Sequence, residues 1–191
     1  MKVGLYFGSY NPIHIGHLII ANSMLEHTDM EEVWFVVSPQ NPFKVNQSLL
    51  DDTMRLEMVE KAVEGNPRLK ACGIELSLPK PSFTFVTLSV LREQYPDNEF
   101  CIIMGGDNLE RFEMWRNYQD ILDRHRLYVY PRPDHLDPPL SRHPQVTMMP
   151  NLPMLEISST YIRDEIREGR SVRYLVAEPV WDYIREHHLF E

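Results

Sequence analysis

The chain is predicted to fold as an open, mostly parallel α/β sheet with helices on both faces, because short β-rich runs alternate with longer amphipathic ones along its length. Three runs, KVGLYF (2–7), EVWFVVS (32–38) and FCIIMGG (100–106), are compact, apolar and end at Gly, Ser or Pro. Strands buried on both faces read in this way. No internal repeat interrupts the alternation, so right-handed crossovers are expected, with any ligand at the carboxyl ends of the strands.

The first strand is followed by a predicted helix at 18–27, the second by one at 51–65, and a third helix covers 82–95. Each carries apolar residues at spacings of three and four and stops at a turn signal or Pro. Beyond the 100–106 strand come a polar helical stretch at 108–122, a strand at 126–131, and a Pro-rich loop through Pro144. A short strand at 146–149, whose Met148-Met149 doublet is ordinary strand packing, leads to a helix from about Ser158 to Glu168. The last helix is opened by Pro179 and runs to His187.

Composition narrows the function. With 191 residues and 43% hydrophobic content the chain suits one compact domain and is too short for two of ordinary size. No apolar run approaches the roughly 20 residues that cross a bilayer, and the start, MKVGLYFGSY, breaks too early for a signal peptide, so a cytoplasmic protein is expected. Cys72 and Cys101 fall in apolar segments that read as strands, away from any CxxC or His-Cys spacing, and are expected as free buried thiols. A net charge of -9 argues against a nucleic-acid surface, which needs clustered Lys and Arg. An anionic ligand would therefore meet a local cationic site.

That site is expected in the loop after the first strand, GSYNPIHIGH, which runs into the first helix. Gly8 lets the backbone turn, Asn11-Pro12 makes a rigid turn, and Gly16 leaves room at a helix start whose free N–H groups attract phosphate. His14 and His17 project from the same segment and can donate to phosphate oxygens. A lone His is more often a packed polar residue, and an i, i+3 pair also suits a metal. Neither alternative accounts for the glycines. Six specified positions (Gly8, Asn11, Pro12, His14, Gly16, His17) recur by chance on the order of a few times per million chains of this size.

The segment resembles the HxGH signature of the nucleotidyltransferase superfamily. The resemblance implies a Rossmann-like fold and in-line attack on the α-phosphate of a nucleotide, with His14 and His17 steadying the charge and no covalent enzyme intermediate. Near the other end, Ile157-Ser158-Ser159-Thr160-Tyr161-Ile162-Arg163 resembles the superfamily's second signature, ISSTxIR. Hydroxyls and free N–H groups at a helix start make an anion site, with Arg163 one turn beyond Ser159. In isolation the same residues would be a Ser N-cap and a surface Arg. No Glu or Gln follows three residues after Ser158, Ser159 or Thr160 to complete a capping box.

Three central segments resemble bacterial nicotinate-nucleotide adenylyltransferase: Ser38 to Lys44, Lys80 to Thr84, and Gly105 to Leu109 leading to Trp115. With the two signatures, the likeness covers nearly the whole chain. It implies catalytic roles for His14, His17, Lys44 and Arg163. ATP would meet Gly8, Ser9, Tyr10, His14, Gly16, His17, Gly106, Asp107, Ile157, Ser158, Ser159 and Arg163. A mononucleotide would meet Asn11, Lys44, Ser82, Phe83, Thr84, Asp107, Leu109 and Trp115. Unpaired N–H groups around Phe83 and Thr84 would favour a nicotinate carboxylate over an amide, and Trp115 could stack on the ring, although a half-buried core aromatic fits as well. Asp107 suits a ribose hydroxyl or, as a bare Asp, a helix cap.

The chain departs from the family pattern at Phe43, where a His is common, and at Tyr10, where Thr or Phe is common. Arg55 and Met58 match the pattern; Arg55 suits a brace for the loop or the substrate, with a solvated helix face as the expected reading. Ser171 to Phe190 resembles the family's C-terminal helix, where the adjacent His187 and His188 read as surface residues. The expected reaction joins AMP from ATP to nicotinate mononucleotide, with Mg²⁺ carried on the ATP, few direct protein ligands to it, and no separate metal-site residues. Nicotinamide mononucleotide or pantetheine phosphate as acceptor, and a non-catalytic nucleotide-binding module, are the alternatives. A homo-oligomer is compatible with the sequence, which does not determine it.

Overall fold

A computed structural model of the chain describes residues 1–39, 49–153 and 155–191. Six parallel strands, β1 (Lys2–Gly8), β2 (Glu32–Val37), β3 (Leu69–Cys72), β4 (Glu99–Gly105), β5 (Leu127–Tyr130) and β6 (Val146–Met148), form one sheet in the order β3-β2-β1-β4-β5-β6. The strand order reverses between β1 and β4, and a crevice opens at such a point above the carboxyl ends. Gly8 of β1 pairs with Val37 of β2, while Tyr6 pairs with Ile103 of β4, so the loops after all three strands share one edge.

Seven α-helices cover the sheet among the described residues: α1 (Ile15–His27), α2 (Asp52–Val63), α3 (Thr84–Gln94), α4 (Gly106–Glu110), α5 (Tyr118–Arg124), α6 (Ser159–Arg167) and α7 (Glu178–Glu186). Two apolar cores result. One gathers Ile20, Met24, Met58, Ile162, Val180 and Ile184, and so joins α1, α2, α6 and α7 to one sheet face. The other gathers Leu88, Leu91, Leu109, Phe112, Ile121 and Leu122 on the opposite face. Alternation along β1 explains the split: Val3 and Leu5 enter the second core, Tyr6 the first.

Three local differences from the sequence reading have physical causes. α1 begins at Ile15, three residues early, because His14 in an extended conformation takes the N-cap. The polar stretch expected as one helix over 108–122 is broken into α4, a 3-10 turn at Phe112–Met114, and α5. Trp115 is extended and Asn117 is left-handed, and neither backbone state can continue a helix. Third, Arg55 is not on a solvated face. It is wholly buried, and its guanidinium donates to the carbonyls of Ser9, Ser38 and Leu50 and pairs with Asp52. One cation thereby ties the loop after β1 to the chain on either side of the segment after β2. Met58 is core.

Cys72 and Cys101 are both free, with Cys101 fully buried. No helix among the described residues is long and apolar enough to cross a membrane.

Candidate active site

The loop from β1 to α1 is held by its own side chains. Tyr10 has a positive φ of 47°, which turns its ring inward; the ring is buried and its hydroxyl donates to the Tyr6 carbonyl. A Cβ on Gly8 would come within 2.7 Å of that ring, so only glycine lets the turn close. Tyr10 therefore offers a nucleotide its backbone alone. Asn11 is buried as well, and its side-chain oxygen accepts from the Leu50 amide at 3.3 Å.

His14 and His17 stack with centroids 3.7 Å apart and planes 29° from parallel. The His14 amide donates to Nδ1 of His17 at 3.2 Å. An imidazole that accepts at Nδ1 carries its proton on Nε2, so His17 presents a fixed donor. Burial, with the Arg132 charge beside it, lowers the His14 pKa to about 4. Burial, His14 and Arg132 together hold His17 well below the ordinary value. Both rings are neutral at pH 7, which leaves their N–H groups to answer charge that develops on a ligand. Below them lies an aromatic floor: the rings of Tyr6 and Tyr10 sit edge-on to His17 at 5.9 and 5.1 Å, and the Tyr6 hydroxyl donates to Tyr130 at 3.1 Å. Nδ1 of His14 is buried without a hydrogen-bond partner among the described residues. A Cβ on Gly16 would press on that ring at 3.0 Å.

The second signature folds onto the first. Ser159 Oγ donates to the Pro12 carbonyl at 2.9 Å, and Arg163 Nη1 to the Asn11 carbonyl at 2.8 Å, across about 150 residues of chain. Arg163 also donates to Thr160 Oγ1 at 3.2 Å. Ser158 is an ordinary N-cap, its hydroxyl accepting from the Tyr161 amide at 3.1 Å. Ile157 approaches Gly16, and with His14, His17, Tyr130, Arg132 and Pro153 it walls a narrow cleft.

Arg132 escaped the sequence reading. It lies two residues past β5, its Cζ 5.6 Å from the Tyr130 ring centroid and its Nε 3.7 Å from Asp107 Oδ1. A basic residue just beyond the carboxyl end of a strand beside the switch point was the available signal. Asp107 occupies the first turn of α4, whose N-cap is Gly105, so it is not the cap. The His135 backbone carbonyl sits where a Cβ on Gly106 would be, which fixes the loop after β5 against α4.

The remaining candidates form a second cluster on the other core. α3 starts at Thr84 with Phe83 as N-cap and no side-chain cap. The amides of Thr84 and Phe85 precede the first bonds to Phe83 O, made by Val86 and Thr87. Ser82 turns inward: its hydroxyl donates to Glu75 Oε2 at 2.8 Å, and Thr87 donates to Glu75 Oε1 at 2.7 Å. Glu75 is 2% exposed and was not singled out from the sequence, because its partners are set by a 3-10 turn (Ile74–Ser77) that no periodicity announces. Trp115 is half-buried, its ring centroid 5.0 Å from that of Phe112, and the Leu109 side chain is core. Lys44 lies outside the described residues. Among those residues no three His, Cys, Asp or Glu side chains gather as a metal site.

The chain was compared with known proteins. A family model described as cytidylyltransferase-like matches residues 5–165. A probable nicotinate-nucleotide adenylyltransferase of Cytophaga hutchinsonii is 52% identical over 184 residues, spanning 96% of this chain and 95% of its own. Another of that name, from Flavobacterium johnsoniae, is 48% identical over 195 residues with both chains covered in full. Among solved structures, nicotinic acid mononucleotide adenylyltransferase of Plasmodium falciparum complexed with NaAD has a TM-score of 0.79 at 16% identity, covering 99% of this chain and 97% of that one. At that identity the likeness establishes the fold.

Proposed function

The chain belongs to the nicotinate-nucleotide adenylyltransferase family, within the cytidylyltransferase-like proteins, and from that premise we propose that it transfers AMP from ATP to nicotinate mononucleotide. The products are nicotinate adenine dinucleotide and pyrophosphate, a step of NAD biosynthesis. The observation that carries the reading is the junction of the two helix starts, through Ser159 on Pro12 O and Arg163 on Asn11 O, beside the neutral imidazole pair.

A phosphate oxygen of the mononucleotide attacks the α-phosphorus of ATP from the side opposite the pyrophosphate. The new P–O bond forms as the bond to the β-phosphate oxygen breaks, and pyrophosphate leaves. Such transfers need little covalent help, so the protein acts by positioning and charge stabilisation. Nε2–H of His17 answers the charge on the α-phosphate oxygens, His14 stacks against it, and the guanidinium groups of Arg132 and Arg163 favour the polyphosphate. Lys44 is assigned to the phosphates by its resemblance to the family. Mg²⁺ enters as part of the ATP complex, held mainly by phosphates and water. The uncapped start of α3 takes the pyridine carboxylate. ATP as substrate and the two free thiols fit a reducing, cytoplasmic setting.

The test is a product assay: with Mg²⁺ and ATP, pyrophosphate release should be fastest with nicotinate mononucleotide, slower with nicotinamide mononucleotide and absent with pantetheine phosphate. Silence with both pyridine mononucleotides would refute the assignment.

A further inference from the structure

The start of α3 has a cation beside it that the reaction above leaves unused. Arg116 follows Trp115 in the turn before α5, is exposed, and carries its Cζ 5.0 Å from the centroid of the Phe83 ring. Phe83 is the N-cap of α3, so this ring is anchored to the backbone that presents the leading amides of Thr84 and Phe85. Two other cations are committed elsewhere: Lys80 Nζ lies 2.7 Å from Asp52, and Arg55 is consumed by carbonyls and Asp52. Among the described residues Arg116 forms no ion pair.

A guanidinium laid against an aromatic face has its planar fork ordered before a ligand arrives, and that fork matches the two oxygens of a carboxylate. Arginine has donors and no acceptor. A carboxamide offers it one oxygen and an opposed NH₂, whereas a carboxylate offers two acceptors and the opposite charge.

We propose that Arg116, seated on the Phe83 ring, is the specificity-determining residue that selects a pyridine ring bearing a carboxylate over one bearing a carboxamide. This rests on the adenylyl transfer described above and adds the residue that discriminates between its acceptors. The free amides of α3 favour an anion in a general way; Arg116 supplies the second, geometric requirement.

R116M removes the charge and keeps most of the stem, and because the side chain is exposed the variant should fold like the wild type. The test compares kcat/KM for nicotinate and nicotinamide mononucleotides in both proteins. R116M should lose about tenfold with the acid substrate and stay within twofold with the amide, while the KM for ATP is unchanged. R116K should recover part of the loss, since it restores charge without the fork. An acid-to-amide ratio in R116M within twofold of wild type overturns the inference, as does an equal loss on both substrates. A wild-type enzyme that turns over neither mononucleotide fells the underlying reading together with this one, whereas wild-type turnover with an unmoved ratio fells this one alone.

Discussion

The two clusters at the carboxyl edge of the sheet solve opposite problems. Where α1 and α6 meet, side chains crowd in: two stacked imidazoles, a guanidinium on a carbonyl and a serine on another. At α3 the side chains withdraw, with Ser82 and Thr87 turned back onto Glu75, and the amides stand uncovered. A pentacoordinate phosphate changes its charge during reaction and needs donors fixed in place beforehand. A ring carboxylate keeps its charge throughout and needs only to be recognised, by the helix start and the Arg116 fork together. The comparison therefore predicts rate effects at the first cluster and substrate-affinity effects at the second.

The largest effect is expected from His17→Ala, which removes the donor held by the His14 amide. Its kcat should fall by roughly 10²–10³ with little change in ATP affinity. Equal losses in rate and in calorimetric ATP binding would place the residue in ground-state binding and dissolve the distinction.

A smaller effect concerns pH. An unfolded histidine titrates near the ordinary 6.5, whereas folded His14 titrates at about 4. Between these values the unfolded chain binds a proton that the folded chain refuses, so the stabilisation is complete above pH 6.5 and is lost as pH falls toward 4. Denaturant unfolding should show about 2 kcal/mol less stability at pH 5 than at pH 7 from this group. His14→Gln should reduce the slope of that limb and leave the part that His17 contributes, and an unchanged slope would assign it to other residues.

The smallest effect belongs to the second cluster. Ser82→Ala removes one of the two hydroxyls on Glu75 at a cost of about 1 kcal/mol, and should raise KM for the mononucleotide about fivefold with kcat and the KM for ATP intact. A fall in kcat alone would mean that the α3 start participates in chemistry.

Much of this was legible in the sequence, and the reasons differ by residue. The strands around β1, β2 and β4 announced themselves because burial on both faces demands unbroken apolar runs. His14 and His17 were legible because phosphate chemistry at a helix start needs glycines and donors at set spacings within one short segment. Arg132 and Glu75 were not, since each acts through partners whose distance along the chain carries no periodic signal. Arg55 misled for a related reason: on a polar helix an Arg normally reaches water, and only the carbonyls of Ser9, Ser38 and Leu50 together with the Asp52 carboxylate make full burial tolerable.

Taken alone, the order of residues determined the alternation of strands and helices and marked out the two loop-to-helix segments at Gly8–His17 and Ile157–Arg163, because both depend on interactions local in the chain. Only the folded sheet decided that the Asn11 carbonyl would receive Arg163, that His17 would keep its proton on Nε2, and that Glu75 would draw two hydroxyls away from the start of α3. These depend on which buried polar group finds which partner, and in a low-dielectric interior that pairing is settled by three-dimensional proximity.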